Sequence, residues 1–403
     1  MEGGGDMGLM EWCRELPKIE LHAHLNGSVR DSTLLELAKD LGEKGVIAFA
    51  DVVHVIMKNG RSLPECFKLF DLYHLLTTDH QTVTRITKEV IEDFAAENVV
   101  YLELRTTPKK NEAKGMTKCS YMKAVIDGIR AVDTVDVDFV TSGTSNVNCS
   151  EATPLNCIGS PIKRKKIYVR LLLSIDRRET TAAALETVNL AMDLKNFGVV
   201  GIDLSGNPVI GEWQTFLPAL KHAKELGLPI TLHCGEVPNH KEIQAMLDIC
   251  PQRIGHACFL VEEEWKRVKF LKIPVVEICL TSNIRTGRFS SIYDHFFADL
   301  YKAKHQVALC TDDSGLFSTT LSNEFYLAAS TFGVSIHHLS LQSKHIIWQV
   351  LHKIYWVVSS YTGLNKDEMF LLARSAIQST FADDEVKHEL TKIYDDAANR
   401  LII

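Results

Sequence analysis

Apolar residues fall along this chain in short uninterrupted runs, separated by longer stretches with helical spacing. The runs occupy residues 19–25, 99–105, 167–176, 199–206, 229–236, 253–256, 274–283 and 307–313. Runs of this length, bounded by turn residues, read as buried strands. Between them, residues 31–38 form a helix capped by Asp31 or Ser32, and residues 63–76, 81–96, 121–131, 180–195, 216–226 and 242–249 carry apolar positions three and four apart. Residues 52–57 fit either element. Strands alternating with helices imply a parallel sheet, and uniformly apolar runs imply strands covered on both faces. Eight such units predict an α/β chain closed into a (β/α)8 TIM barrel. An open, doubly wound sheet would start with a glycine-rich phosphate turn, whereas the first run here ends in His-Ala-His-Leu-Asn-Gly.

The length of 403 residues suits one such barrel, so the expectation is a single domain over 1–403. A net charge of −7 without a basic stripe argues against a nucleic-acid partner. Ten cysteines show no CxxC…CxxC frame and read as reduced thiols of a cytosolic protein. Residues 1–10 have neither the basic start nor the apolar stretch of a secretory leader, and no run has membrane-spanning length. Residues 141–161 are rich in Ser, Asn, Thr and Gly and read as a solvated loop.

Chemistry-bearing residues collect at the ends of the predicted strands. His22 and His24 alternate on the first strand and therefore share a face. Alone, an HxH pair is as well explained by chance. Asn26 follows it; Arg105 and Thr106 end the second strand, Asp176 the third, Asp203, Ser205 and Gly206 the fourth. His233 and Glu236 end the fifth, His256 the sixth, Thr281, Ser282 and Asn283 the seventh, and Asp312 and Asp313 the eighth. In a barrel these ends meet at one mouth. His22, His24, His233 and Asp312 together suit one divalent ion such as zinc, with a position left for water. Glu236 is then placed as a general acid, His256 to orient or deprotonate the water, and Asp313 to accept a hydrogen bond from substrate or water.

The motifs HAHLNGS, LELRTTP, IDLSGNP, HCGE, RIGHA, LTSN and CTDD resemble, in order and spacing, the adenosine deaminase family of metal-dependent hydrolases. The resemblance covers about residues 11–333 and resumes for some twenty residues after 363, and it is nearest to the adenosine deaminase-like branch. It implies a barrel of the metal-dependent amidohydrolase type, one Zn2+ per chain on His22, His24, His233 and Asp312, and hydrolytic removal of the amine at C6 of a purine. By the same resemblance Glu236 protonates purine N1, His256 assists the attacking water, Asp313 contacts the base and the Gly206 backbone meets the ring edge. The family usually has Asp where this chain has Asn26. An amide tolerates a 5′-phosphate that a carboxylate repels. Arg105, Thr106, Thr107, Pro108 and the lysines after them are expected around the same phosphate, with Asp176 at the pocket and His74 on a helix near it.

The expected reaction is therefore N6-methyl-AMP to IMP plus methylamine, by a monomer whose partner is a small purine nucleotide. The alternatives are adenosine to inosine plus ammonia, or an inactive paralogue that only binds nucleotides. The HxE…PCxxC frame of cytidine-type deaminases is absent. The strand-four ending Asp-Leu-Ser-Gly lacks the bridging Lys or Glu of a two-metal site. One departure is an apparent insertion at 335–363, with an apolar, aromatic run around residues 345–358. It reads equally as a helix on the barrel, an interaction surface, or a stretch absent from the usual product.

Overall fold

A computed structural model describes residues 7–56, 63–139, 164–271, 275–332 and 364–401. The segments expected as the 141–161 loop and the 335–363 insertion lie outside the described residues.

Eight parallel strands follow the chain in simple succession: β1 (Lys18–His24), β2 (Val99–Thr106), β4 (Lys166–Asp176), β5 (Val199–Ser205), β6 (Ile230–Cys234), β7 (Arg253–His256), β8 (Val275–Ile278) and β9 (Val307–Leu309). A short β3 (Asp136–Asp138) adds to β4 outside this circuit. The ring closes where Ala23 of β1 bridges Asp312 just beyond β9, and the His24 amide donates to the Asp312 carbonyl at 3.0 Å. Sequential parallel strands joined by helices, closed on themselves, make this a (β/α)8 barrel. The ambiguous stretch near residue 52 is helical, Phe49–Ile56.

Three expected strands are shorter than read, the fifth running only Ile230–Cys234. The seventh ends at Ile278, and Thr281, Ser282 and Asn283 lie on the helix Leu280–Arg285. The cause is the buried Glu324 carboxylate, which accepts the Thr281 amide at 3.0 Å and the Thr319 hydroxyl at 2.7 Å, satisfying a helix-start N–H that a strand would have paired elsewhere. The eighth ends at Leu309, so Asp312 and Asp313 stand on the following loop.

The runs are apolar on their outer face and mixed on their inner one, where Leu172, Val275 and Ala308 pair with the inward charges. Outward residues such as Leu21, Leu102, Leu104 and Ile254 pack beneath the helices. The inner face carries Glu103, Arg105, Asp203, Thr231, Arg253 and Glu277, all buried. Arg253 reaches Glu277 at 2.7 Å and Glu103 at 2.5 Å, and its guanidinium lies 3.6 Å over the Phe381 ring. The Phe381 amide and the Tyr101 hydroxyl complete Glu103, at 2.6 and 2.8 Å. The C-terminal segment thus seals the floor of the barrel, and each buried charge has a partner, as burial demands. Replacing Arg253 by Met leaves the buried Glu103 without its cation and Glu277 with Arg105 alone. We expect a loss of about 3–5 kcal/mol in denaturant unfolding; an unchanged unfolding midpoint would show that the floor network is not needed for stability.

Candidate active site

The barrel mouth gathers the residues that the strand ends carry. Glu20, His22 and His24 alternate onto the inner face of β1, and His233 points inward from β6. The Nε2 atoms of His22 and His24 lie 3.1 and 3.0 Å from Nε2 of His233. Asp312 Oδ1 completes the group, 3.6 Å from His22 and 3.4 Å from His24. Tetrahedral zinc ligands at 2.0–2.1 Å stand ~3.3 Å apart, so the donor set fits one such ion.

The orientation of these rings is built in. His22 Nδ1 meets Glu277 Oε2 at 2.5 Å and His233 Nδ1 meets Asp203 Oδ1 at 3.0 Å. A carboxylate on Nδ1 holds the proton there and leaves the Nε2 lone pair facing inward, as a metal ligand requires. Burial and nearby Arg105 push His22 well below the usual imidazole range; burial and nearby His233 do the same for His24. Both rings are neutral donors. Burial alone would lower His233 too, but the Asp203 carboxylate outweighs it and raises the ring. Burial lifts Asp312 to about 6, and the Ser282 hydroxyl donates to its Oδ2 at 2.7 Å. Space is equally constrained. A Cβ on Gly255 would lie 2.5 Å from the His22 ring, so only glycine lets β7 pass behind it. His256, Ala257 and Asp312 all hold positive φ, 63°, 55° and 67°, a costly conformation for residues with a side chain, concentrated at this mouth.

Around the centre lie the other expected residues. Glu236 Oε1 is 3.7 Å from His256 Nε2, which is 4.0 Å from Asp312 Oδ2. Asp313 is buried beside Asp312; burial and that neighbour raise its carboxyl well above the usual range, and its Oδ1 has no hydrogen-bond partner. Gly206, at φ 100°, lines the pocket with Asn26, His74, Thr106, Thr107 and Asp176. Asn26 Oδ1 accepts from the Tyr121 hydroxyl at 3.4 Å. Burial, with Lys109 and Arg178 close by, holds His74 down at about 3, and its Nε2 lies 2.9 Å from the Arg178 guanidinium.

Two expectations change. Arg105 does not extend its guanidinium toward a phosphate: it is fully buried beneath the centre, 2.9 Å from Glu277 and 3.3 Å from Asp203. Its position on the inner face of β2 points it into the barrel, where it neutralises the two carboxylates that orient His22 and His233. Pro108 is buried behind the rim and is not among the lining residues. Sequence reasoning passed over Glu277, Arg178 and Arg288. Arg178 grips Asp176 at 2.7 Å and Arg288 grips Glu236 at 2.6 Å. A glutamate inside the apolar run Val-Val-Glu-Ile was a usable signal for Glu277, since a charge rarely sits in a buried strand unless paired. Nothing in the local pattern distinguished the two arginines.

A closed parallel barrel with neutral imidazoles and a carboxylate converging at its C-terminal mouth defines the amidohydrolase type of metal-dependent enzyme. The family model described as Adenosine deaminase matches residues 17–347. The N6-mAMP deaminase of Arabidopsis thaliana is 62% identical over 96% of this chain and 99% of its own length, and the human N6-Methyl-AMP deaminase 38% identical over 84% and 90%. A crystal structure of Arabidopsis ADAL complexed with IMP matches with a TM-score of 0.83 at 60% identity, covering 97% of this chain and 99% of that one. The chain belongs to the adenosine deaminase family.

If Asp203 sets the donor character of His233, Asp203→Asn should weaken metal retention ~10–100-fold. Competition with a chelator measures this; retention equal to the parent protein's would show that His233 needs no charged partner.

Proposed function

We propose that this protein is an N6-methyl-AMP deaminase that hydrolyses N6-methyl-AMP to IMP and methylamine. The observation that carries this reading is the asymmetry of the pocket. One end holds the four-donor centre with Glu236, His256 and Asp313. At the other, Asn26 supplies an amide where the family usually has a carboxylate, Thr106 and Thr107 supply hydroxyls, and Arg178 neutralises the Asp176 and Asp71 carboxylates that share this end. The likeness to the Arabidopsis and human deaminases, and the IMP held by the solved Arabidopsis structure, point the same way.

His22, His24, His233 and Asp312 would hold one zinc ion, which when bound supplies a Lewis acid that makes water a stronger nucleophile. The chain's own residues do the rest. Glu236 donates a proton to purine N1, which draws electron density from C6 and opens it to attack. His256, beside Glu236 and Asp312, orients the attacking water. Asp313, on the pocket wall beside Asp312, contacts the base. The Gly206 backbone lies against the ring. Attack by water at C6 forms the new C–O bond, the C–N bond breaks, and the amine leaves with a proton.

At the far end, Tyr121 occupies Asn26 Oδ1, which leaves the Asn26 amide as a donor toward a phosphate. Thr106, Thr107, His74 and Arg178 line the same end, Asp176 holds Arg178 in place, and Lys109 lies behind them with its Nζ on the Thr77 hydroxyl at 2.9 Å. Arg105, given its burial, acts beneath the histidines through Glu277 and Asp203. We read the chain as a monomer with a single barrel domain over 1–403. All described cysteines are free, and among the described residues no helix is long and apolar enough to cross a membrane. A cytosolic protein fits both facts.

Purified protein should convert N6-methyl-AMP to IMP far faster than N6-methyladenosine to inosine. Equal turnover of the two would remove the phosphate from the argument, and absence of any product would favour the inactive paralogue.

A pH profile isolates the phosphate end. Burial and nearby Arg178 lower Lys109 to about 7. Its charged form prevails below that value, so kcat/KM for the monophosphate should fall as pH rises through 7. Lys109→Met should lower kcat/KM for N6-methyl-AMP roughly tenfold or more below pH 7, with little effect on the nucleoside. A variant that weakens both substrates alike would place Lys109 away from the phosphate.

A further inference from the structure

Behind His256 runs a chain of buried hydrogen bonds with a direction. It begins at a main-chain amide. The Phe297 N–H donates to Nδ1 of His295 at 3.0 Å. That nitrogen is therefore an acceptor, and the proton of His295 sits on Nε2. His295 Nε2 lies 3.1 Å from Oδ1 of Asn283, so it donates there. The carboxamide is then oriented, and its Nδ2 faces Nδ1 of His256 at 3.1 Å. An amide nitrogen only donates, so His256 Nδ1 only accepts.

Nothing in the relay is free to reverse. A backbone N–H cannot become an acceptor. His295, Asn283 and His256 are each at most 2% exposed. The His295 ring packs against both Phe289 and Phe296, each with ring centroids 4.6 Å away. Burial also lowers His295 to about 3, in keeping with a single ring proton.

We propose that His295 and Asn283 are positioning residues that lock His256 with its proton on Nε2, so that neutral His256 meets the attacking water as a hydrogen-bond donor. The statement rests on the deaminase reading for its use, but not for its existence. Nε2 is the nitrogen that faces Glu236 and Asp312. In the resting state it presents N–H, not a lone pair. Of the two roles open to His256, orienting the water is favoured over removing its proton. Neither His295 nor Asn283 touches the substrate; both act through His256.

The test separates tautomer from turnover. In zinc-loaded protein labelled with 15N-histidine, His256 is assigned by the signals lost in His256→Gln. The long-range 1H–15N pattern should show the proton on Nε2 and Nδ1 unprotonated. Asn283→Asp replaces the donor with an acceptor of the same shape and should move the proton to Nδ1, with kcat down ~100-fold and KM within about twofold. His295→Gln keeps a donor toward Asn283 and should retain the parent tautomer and most of kcat, whereas His295→Phe should lose both. A proton found on Nδ1 in the parent protein overturns the proposal, even if Asn283→Asp fails to fold. So does an Asn283→Asp protein whose proton moves while kcat stays unchanged. If the tautomer is as stated but no N6-methyl-AMP is consumed, the deaminase reading fails and the relay stands.

Discussion

Three imidazole nitrogens facing one another within hydrogen-bond distance, with a carboxylate beside them, are the constraint on which the rest of this molecule turns. Lone pairs crowded together in a buried space repel unless a cation lies among them. The chain commits its interior to maintaining that crowding. Asp203 and Glu277 hold protons on the outer nitrogens of His233 and His22, Ser282 fixes Asp312, and Gly255 leaves room for the His22 ring. Strained backbone at His256 and Asp312 belongs to the same arrangement.

Holding two carboxylates beneath a set of neutral ligands requires charge of the opposite sign, and this explains the polar barrel core. Arg105 bridges Glu277 and Asp203, Arg253 bridges Glu277 and Glu103, and Glu103 is tied to the C-terminal segment at Phe381. The network runs without a break from the floor of the barrel to the histidines at its mouth. A core of branched apolar side chains would pack as densely but could not fix the tautomers of the ligands. The barrel interior thus serves the site as much as the fold, and the outer faces of the strands, packed under helices, supply the hydrophobic stabilisation.

The pocket divides its labour along its length. Under the proposed reading the purine would react beside Glu236, His256 and Asp313, and a phosphate would lie beside Asn26, Thr106, Thr107 and Arg178. Asn26 marks the division. It sits two residues after His24, on the turn that follows β1, where under the proposed reading its side chain faces the phosphate.

Much of this was legible from residue order alone. The eight apolar runs, their alternation with helices, and the His, Asp and Glu at their ends follow from periodicities that backbone geometry imposes locally, and His22 and His24 share a face because a strand alternates. Other features depend on residues far apart in sequence. Glu277 reads as an oddity in an apolar run until Arg105, Arg253 and His22, 172, 24 and 255 positions away, surround it. Arg105 looks like a phosphate ligand until barrel closure turns its side chain inward. Asn283 was visible as a polar strand end, but only the helix that begins at Leu280 and the loop carrying His295 give its amide a direction. The sequence by itself determined which elements form and which chemistry they carry, because these depend on neighbours along the chain. The tertiary structure alone decided which charges are paired, which nitrogen of each histidine faces the centre and which arginine reaches the pocket, because each depends on partners that only closure of the barrel brings within a hydrogen bond's length.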